Sequence, residues 1–196
     1  MCACCGIPFV VPVAEGTQCP MCLETPPQFD RARAAMVYDA ISAPLITTLK
    51  FHDQWAGIHR MATMMRAAGG ALLTEADMMI PVPLHWRRLF ARKYNQSALL
   101  AYELSRMTGV PCAPDVLRRV RYNRPQMRLD RATRLTNVRR AFGVSASASA
   151  QIQGKTVLLV DDVITTGATA DACAKTLKKA GAGAVHVLAL ARTVRE

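Results

Sequence analysis

Long apolar runs are missing from this sequence of 196 residues. No stretch approaches the ~20 consecutive apolar residues that a membrane-spanning helix needs, so we expect no membrane insertion. No apolar secretory segment precedes the cysteines either, and seven cysteines in that setting predict a reducing cytoplasm rather than a disulfide framework. Histidines are few, and the sequence gives none of them a recognisable partner. We therefore assign no catalytic role to His52, His59, His85 or His186.

A P-loop for nucleoside triphosphates is also missing. Gly154-Lys155-Thr156 resembles the end of such a loop, but Ser149 stands where the motif requires glycine. The segment precedes an apolar strand, whereas a P-loop follows one. These two departures exclude a P-loop at this position.

Acidic residues are scarce in one stretch of the chain. Residues 84–140 contain 14 Lys and Arg but only three acidic residues, and the rest of the chain holds 11 of each sign. The whole net charge of +11 therefore lies in this stretch. A localised basic field favours polyanions such as pyrophosphate or a nucleic-acid backbone, and a solvated surface is the simpler interpretation.

The most informative segment of the chain is residues 156–169. Its apolar residues from Val157 to Val160 are mostly branched and unbroken, which predicts a strand buried on both faces of a parallel sheet. Asp161 and Asp162 follow at the carboxyl edge of that sheet, where open α/β sheets bind ligands. A turn of hydroxyl residues and glycine then opens a predicted helix over 168–180, whose electropositive start favours phosphate.

These features together predict a site for a phosphorylated sugar. The residues that offer hydroxyl or backbone N–H groups to the phosphate are Thr165, Thr166, Gly167, Ala168 and Thr169. The two carboxylates one step back would repel phosphate, but they suit ribose hydroxyls or a bound cation. An ordinary strand, turn and capped helix is the alternative, and it does not account for all of these residue types at once.

Cysteines are concentrated at the N-terminus. Cys2 with Cys5, and Cys19 with Cys22, form two C-x-x-C pairs at the spacing of a four-thiolate structural Zn²⁺ site. Because the first ~28 residues are too few to bury a core of their own, a metal is the expected source of their stability. Cys4 is a spare thiol that could replace Cys2 or Cys5 as ligand.

Hydrophobic patterns predict strands near residues 33–38, 77–82, 117–120, 155–160 and 185–191. Predicted helices over 43–51, 58–68, 97–107 and 130–139 alternate with them, Ser97 being the expected cap of the third, and 145–153 is a small polar linker. Alternating strands and helices predict an α/β fold, with a parallel sheet flanked by helices. We expect a zinc-ribbon-like module over residues 1–28 and one larger domain over 29–196.

Several segments carry a resemblance to known families. The apolar strand, two acids and T-T-G-x-T of residues 157–169 resemble the phosphoribosyl pyrophosphate (PRPP) motif of type I phosphoribosyltransferases. Residues 80–96, with the pattern I-P-V-P-L-H-x-x-R-L-x-x-R-x-x-N-Q, are similar to the competence protein F (ComF) family, as are shorter segments between 117 and 142. That family joins an N-terminal cysteine zinc knuckle to a phosphoribosyltransferase-type domain, so the resemblance implies a type I phosphoribosyltransferase-like sheet.

The resemblance also implies roles for individual residues. The loop from Thr165 to Thr169 would bind the 5′-phosphate of PRPP, while Asp161 and Asp162, as catalytic residues, would orient the ribose hydroxyls and help to hold Mg²⁺. The pyrophosphate would be bound by Arg87, Arg88 and Arg92, with Asn95 and Gln96 fixing that loop. A mobile arm over the site would contain Arg124, Gln126, Arg134 and Asn137.

The function that the resemblance implies is PRPP binding in DNA uptake and natural transformation. The partners would be PRPP or a related phosphoribosyl ligand, single-stranded DNA and DNA-processing proteins. Trp86, Phe90, Tyr94 and Tyr122 lie in the basic stretch and could stack on unpaired bases, although arginines that serve pyrophosphate and aromatics that serve the core explain the same pattern. The alternative function is an active phosphoribosyltransferase of nucleotide metabolism that transfers ribose 5-phosphate from PRPP to an acceptor.

Overall fold

The computed structural model describes residues 1–44, 46, 55–84, 94–120 and 141–194. The predicted helix over 130–139 and most of that over 43–51 lie outside these residues. The helices with defined bounds are α1 Pro20–Glu24, α2 Trp55–Thr74, α3 Gln96–Thr108, α4 Ala146–Ile152 and α5 Ala168–Lys179. The strands are β1 Arg31–Val37, β2 Met78–Pro81, β3 Leu117–Arg119, β4 Phe142–Val144, β5 Thr156–Ile164 and β6 Ala184–Arg192. None of the described helices combines the length and apolar character that crossing a membrane requires.

Four strands form a parallel sheet in the order β1-β6-β5-β2. The two central strands have nine residues each, and their apolar residues are buried on both faces, as the sequence pattern predicts. Their alignment runs from Thr156 opposite Ala184 to Ile164 opposite Arg192. The prediction of an α/β fold with a parallel sheet flanked by helices is confirmed.

β5 extends further than its apolar residues indicate. The apolar run ends at Val160, but pairing with β6 continues to Ile164, because β6 is long enough to supply partners. Asp161 and Asp162 therefore lie inside the strand and not after it. The parallel ladder holds their backbone in place, which fixes both carboxylates more firmly than a loop would.

Apolar side chains cover both faces of the sheet. On one face, Val157 and Leu159 pack in a cluster with residues of α4, α5 and the N-terminal cysteines. On the other face, Leu158 and Val160 pack in a cluster with residues of α2 and α3. Successive residues of β5 alternate between these clusters, as the two-residue period of a strand requires. The sheet is thus a buried layer between two helical layers, and its carboxyl edge remains for a site.

Two local predictions were wrong, and one strand was not predicted. Residues 145–153 are not a linker, because Ser145 caps α4 by accepting the N–H of Ala148 at 3.3 Å, and Ala148 is buried. The strand predicted near residues 117–120 is present as β3, but its antiparallel partner β4 was not predicted, and the two form a small sheet of their own. Asn95 and not Ser97 caps α3, since the Asn95 side-chain oxygen accepts the N–H of Ser97 at 3.1 Å.

Candidate functional site

The predicted phosphate site lies where β2 and β5 end side by side. Val82 follows β2 and donates its N–H to the Val160 carbonyl at 2.9 Å, so the two chain exits stay adjacent. The side-chain amide of Asn95 donates to the Val82 carbonyl at 3.1 Å. Asn95 thus ties the exit of β2 to the start of α3, which brings the first turn of α3 to the acids of β5.

Asp161 is an ionisable residue in a buried position, with 7% of its surface exposed. Its Oδ1 accepts the Ser97 hydroxyl at 3.1 Å and the backbone N–H of Asp162 at 2.9 Å. Burial, and then the neighbouring Asp162 carboxylate, raise the pKa of Asp161 to about 8 in spite of these donors. Because burying a carboxyl group costs stability, a buried acid with a raised pKa at this edge is a candidate functional residue.

The loop of residues 165–169, called the phosphate loop below, presents hydroxyl and N–H groups at the same edge. Thr165 and Thr166 are exposed, and Gly167 is the N-cap residue of α5 with φ of 79°, a left-handed conformation that favours glycine. Gly167 has no side chain to cap the helix, and the Thr166 hydroxyl reaches only the N–H of Ala168, at 3.4 Å. The first-turn N–H groups of α5 are therefore suited to binding an anion.

The structure brings the two predicted acids and the five phosphate-loop residues together at one edge. The predicted pyrophosphate and arm residues lie outside the described residues: Arg87, Arg88, Arg92, Arg124, Gln126, Arg134 and Asn137. Gln96 is described, opens α3 and is buried, and its Nε2 makes no hydrogen bond that the structure records. Asn95 and Gln96 thus stand at the helix start beside the acids.

Two histidines have carboxylate partners that the sequence did not indicate. The Nδ1 of His59 on α2 lies 2.6 Å from Glu103 of α3. The Nε2 of the buried His186 lies 3.4 Å from Glu75, near the opposite, amino edge of the sheet. Neither pair contacts the acids of β5, so these histidines stay outside the candidate site.

The four predicted metal ligands form one cluster. The Sγ atoms of Cys2, Cys5, Cys19 and Cys22 lie within 4.8 Å of one another, and all four residues are buried. The Sγ atoms of Cys5 and Cys19 are 3.7 Å apart. A tetrahedral site with Zn–S bonds of about 2.3 Å would place its sulfurs about 3.8 Å apart. Cys4 is not a member of this cluster, and the four thiols could hold a metal such as zinc.

The cysteine cluster is docked on the free edge of β1. The Cys4 carbonyl accepts the N–H of Ala32 at 2.7 Å, and the Arg33 side chain donates to the Ala3 carbonyl at 3.2 Å. Gly6 makes the closest approach, because a Cβ at this position would lie 2.4 Å from the Ala32 carbonyl oxygen. The N-terminal segment thus covers backbone groups that an edge strand would otherwise expose.

Replacing Gly6 by alanine should therefore loosen the N-terminal segment from β1. The added methyl group would collide with backbone that cannot rotate away, and the φ of 72° adds strain. We expect a loss of about 1–3 kcal/mol, measured by thermal unfolding, with faster proteolysis before residue 30. Gly16→Ala is the matched control, since its φ is 82° but nothing lies within 4 Å of the added atom. Equal losses in both variants would refute the docking contact.

Two contacts of the site come from residues that sequence reasoning did not select. Ser97 was assigned to helix capping, but its hydroxyl donates to Asp161, 64 positions along the chain. Thr193 follows β6 and donates its hydroxyl to the Thr165 carbonyl at 3.1 Å, 28 positions away. A hydroxyl in the first turn of a helix beside the predicted edge was the available signal for Ser97, and no local signal marks Thr193.

Comparison with known proteins agrees with this geometry. Residues 95–195 match the family described as "Phosphoribosyl transferase domain", a range that contains both acids, the phosphate loop and α5. The solved purine phosphoribosyltransferase of Pyrococcus horikoshii Ot3 is 17% identical, with a TM-score of 0.39 over 81% of this chain and 79% of that one. The family match over residues 95–195 shows that the chain contains a phosphoribosyl transferase domain.

Two relatives extend the similarity beyond residues 95–195. Competence protein F of Haemophilus influenzae is 33% identical over 89% of this chain and 78% of its own length. DNA utilization protein YhgH of Escherichia coli (strain K12) is 32% identical over 99% of this chain and 85% of its own length. The chain belongs to the competence protein F family, which confirms the resemblance seen in the sequence.

Proposed function

We propose that this protein binds PRPP together with Mg²⁺ at the carboxyl edge of β5, and that it acts in the uptake or use of DNA. The observation that carries the proposal is the buried Asp161 beside Asp162, followed at once by the hydroxyls and glycine of the phosphate loop. The names of the relatives, Competence protein F and DNA utilization protein, support the process.

The 5′-phosphate would be held by the phosphate loop. Hydroxyls of Thr165, Thr166 and Thr169 and the first-turn N–H groups of α5 are donors, and the helix start favours a negative charge. Two carbonyl oxygens that would repel the phosphate, those of Ile164 and Thr165, already accept hydrogen bonds from Thr193 at 2.9 and 3.1 Å. The loop therefore offers donors and few free acceptors to the anion.

The ribose would be oriented by Asp161 and Asp162. Asp162 is partly exposed, and its Oδ1 accepts the N–H of Val163 at 2.8 Å, which holds the carboxylate at the edge. The same carboxylates would hold Mg²⁺, whose charge would favour the ionised form of Asp161 and neutralise the departing pyrophosphate. Ser97 would keep Asp161 in one orientation, since its hydroxyl binds Oδ1 from the start of α3.

The pyrophosphate and the closure of the site are assigned by the family pattern. Arg87, Arg88 and Arg92 would bind the pyrophosphate, because guanidinium groups donate paired, charge-assisted hydrogen bonds. Arg124, Gln126, Arg134 and Asn137 would form the arm that covers the ligand. The N-terminal cysteine cluster would hold one structural Zn²⁺ through Cys2, Cys5, Cys19 and Cys22.

Calorimetric titration with PRPP tests the proposal. We expect PRPP to bind in the presence of Mg²⁺ and to bind much more weakly when the metal is chelated. Ribose 5-phosphate is the control ligand, since it keeps the phosphate and ribose but lacks the pyrophosphate. An absence of heat at millimolar PRPP with Mg²⁺ would contradict PRPP binding at this site.

The second candidate function is an active phosphoribosyltransferase that uses PRPP and an acceptor. The retained pair of Asp161 and Asp162 favours it, because the enzyme must fix the ribose while the bond between its anomeric carbon and pyrophosphate breaks. A pyrophosphate-release assay against a panel of nucleobases and amines distinguishes the two functions. Release that depends on the acceptor supports the enzyme, and binding without release supports a PRPP-binding factor.

Single-stranded DNA is the partner that we propose for the basic stretch of residues 84–140. With 14 basic against three acidic residues, and with interspersed aromatic residues that include Trp86, Phe90, Tyr94 and Tyr122, this stretch is expected to bind single strands weakly and without strong sequence preference. Its affinity for a labelled oligonucleotide should fall steeply between two salt concentrations, because phosphate contacts release counterions. A duplex of the same sequence is the control. If DNA fails to bind at low salt, the basic residues serve the PRPP site alone.

A further inference from the structure

The end of β6 binds both the cysteine cluster and the phosphate loop. Arg192 is the last residue of β6, and its guanidinium donates to the Cys5 carbonyl. Thr193 comes next and donates its N–H to the Ile164 carbonyl at 2.9 Å and its hydroxyl to the Thr165 carbonyl at 3.1 Å. Two consecutive residues thus contact the backbone of Cys5, a predicted metal ligand, on one side and the start of the phosphate loop on the other.

A second connection reaches the other end of the phosphate loop. The backbone N–H of Gln28 donates to the Asp171 carboxylate, in the first turn of α5, at 2.5 Å. Phe29 is buried, and a Cβ added to Gly167 would lie 4.0 Å from its ring. The chain that leaves the cysteine cluster therefore packs against the start of α5 before it enters β1.

The contact between Arg192 and Cys5 is made by a buried charged group. Only 7% of its surface is exposed, and a buried guanidinium is costly unless it is hydrogen-bonded. Its Nη1 donates to the Cys5 carbonyl, whereas the structure records no partner for its Nε. If the Cys5 backbone moved, the charge of Arg192 would lose the acceptor that the structure records for it, and the end of β6 would have to rearrange. Such a rearrangement would shift Thr193, and with it the Thr165 carbonyl.

We propose that Arg192 and Thr193 are positioning residues that couple metal binding at the cysteine cluster to phosphate binding at the loop. This inference rests on the proposed function, since the ligand of the loop is taken to be PRPP. Metal in the cluster would hold the Cys5 backbone in one position. The hydrogen bond from Arg192 to Cys5 would then fix the end of β6, and the hydrogen bonds of Thr193 would fix the phosphate loop in the conformation that binds phosphate. Coupling between two sites is reciprocal, so PRPP should also tighten metal binding.

The test makes two comparisons at equilibrium. The first is the PRPP affinity with and without Zn²⁺ in the cysteine cluster, with Mg²⁺ present in both cases. The second is the Zn²⁺ affinity with and without PRPP. In the unaltered protein, removal of Zn²⁺ should weaken PRPP binding at least fivefold. Saturating PRPP with Mg²⁺ should strengthen Zn²⁺ binding by the same factor, measured against a competing chelator. Thr193→Val keeps the shape but removes the hydroxyl, and Arg192→Met keeps the apolar stem but removes the donor. Either variant should reduce both factors to near one.

Conservative and matched variants separate positioning from general stability. Thr193→Ser retains the hydroxyl and should restore the coupling. Thr176→Val is the control on α5, because its hydroxyl only donates to the Ala172 carbonyl at 2.8 Å within the helix. Arg33→Met is the control for Arg192, since Arg33 also binds a carbonyl of the N-terminal segment but pairs with Leu188, four residues before Arg192. Both controls should keep the reciprocal effect.

Hydrogen exchange keeps this test separate from that of the proposed function. Removal of Zn²⁺ from the cysteine cluster should speed amide hydrogen exchange at residues 165–170, even if PRPP does not bind at all. Unchanged exchange, together with a PRPP affinity that does not depend on metal, would overturn the coupling while PRPP binding stands. Faster exchange without any PRPP binding would support the bridge and refute the proposed ligand.

Discussion

Replacing Cys19 by serine should release the metal and unfold the N-terminal segment. Its Sγ is 3.7 Å from that of Cys5, and its backbone N–H donates to the Cys2 sulfur at 3.2 Å, so the change removes a ligand from the centre of the cluster. In zinc-finger peptides, metal binding supplies about 10–16 kcal/mol of folding free energy. Elemental analysis should find one Zn²⁺ per unaltered chain and much less in the variant, whose residues 1–28 should be cleaved rapidly by protease.

Cys4→Ser provides the matched control for this prediction. It makes the same chemical change in the same N-terminal segment, but Cys4 is outside the group of thiols within 4.8 Å of one another. We expect the Cys4 variant to retain its metal and its resistance to protease. Metal loss in this variant would assign Cys4 as a ligand in place of Cys2 or Cys5. Unaltered protein from zinc-supplemented medium that contains no metal would refute the zinc site.

The parts of the fold that sequence could predict are those with local signals. The run from Val157 to Val160 predicts a strand buried on both faces, because no polar residue interrupts it and its length suits a strand. The T-T-G turn and the helix from Ala168 follow from residue types within five positions of one another. The cysteine cluster is equally local, since two C-x-x-C pairs lie within 22 residues. These segments would look alike in many tertiary settings.

The parts that sequence could not predict depend on residues far apart in the chain. The Ser97 hydroxyl and Asp161 are 64 positions apart, and Arg192 and the Cys5 carbonyl are 187 positions apart. Each contact exists only once the sheet order places these segments together. β4 was missed for another reason, since a strand of three residues is too short to show an alternating pattern.

Asp161→Asn should stabilise the ligand-free protein, in contrast to most substitutions at buried polar positions. Burial raises the pKa of Asp161 to about 8, whereas an unfolded chain has a value near 3.9. The folded state therefore holds the proton more tightly, and the contribution of Asp161 to stability falls as the pH rises from about 4 to about 8. Asparagine does not titrate, so the stability of the variant relative to the unaltered protein should rise as the pH increases from 4 to 8.

The same substitution should reduce PRPP binding by at least about 100-fold, because a neutral amide cannot replace a carboxylate that holds ribose and Mg²⁺. Thermal unfolding can measure both effects in one experiment. PRPP at about 100 times its Kd should add about 2.7 kcal/mol to the unaltered protein. It should add nothing to Asp161→Asn, or to the double variant with Asp162→Asn. Asp162→Asn alone is the control for charge: it should weaken binding, and its gain in stability at pH 8 should be the smaller one, because it relieves the repulsion of Asp161 by Asp162 but leaves Asp161 buried. A variant at Asp161 that is both more stable and inert to PRPP would show that the buried acid is kept for its ligand. If Asp161→Asn is instead less stable at every pH, the carboxylate serves the fold through Ser97, and its role at the site must be assigned to Asp162 alone.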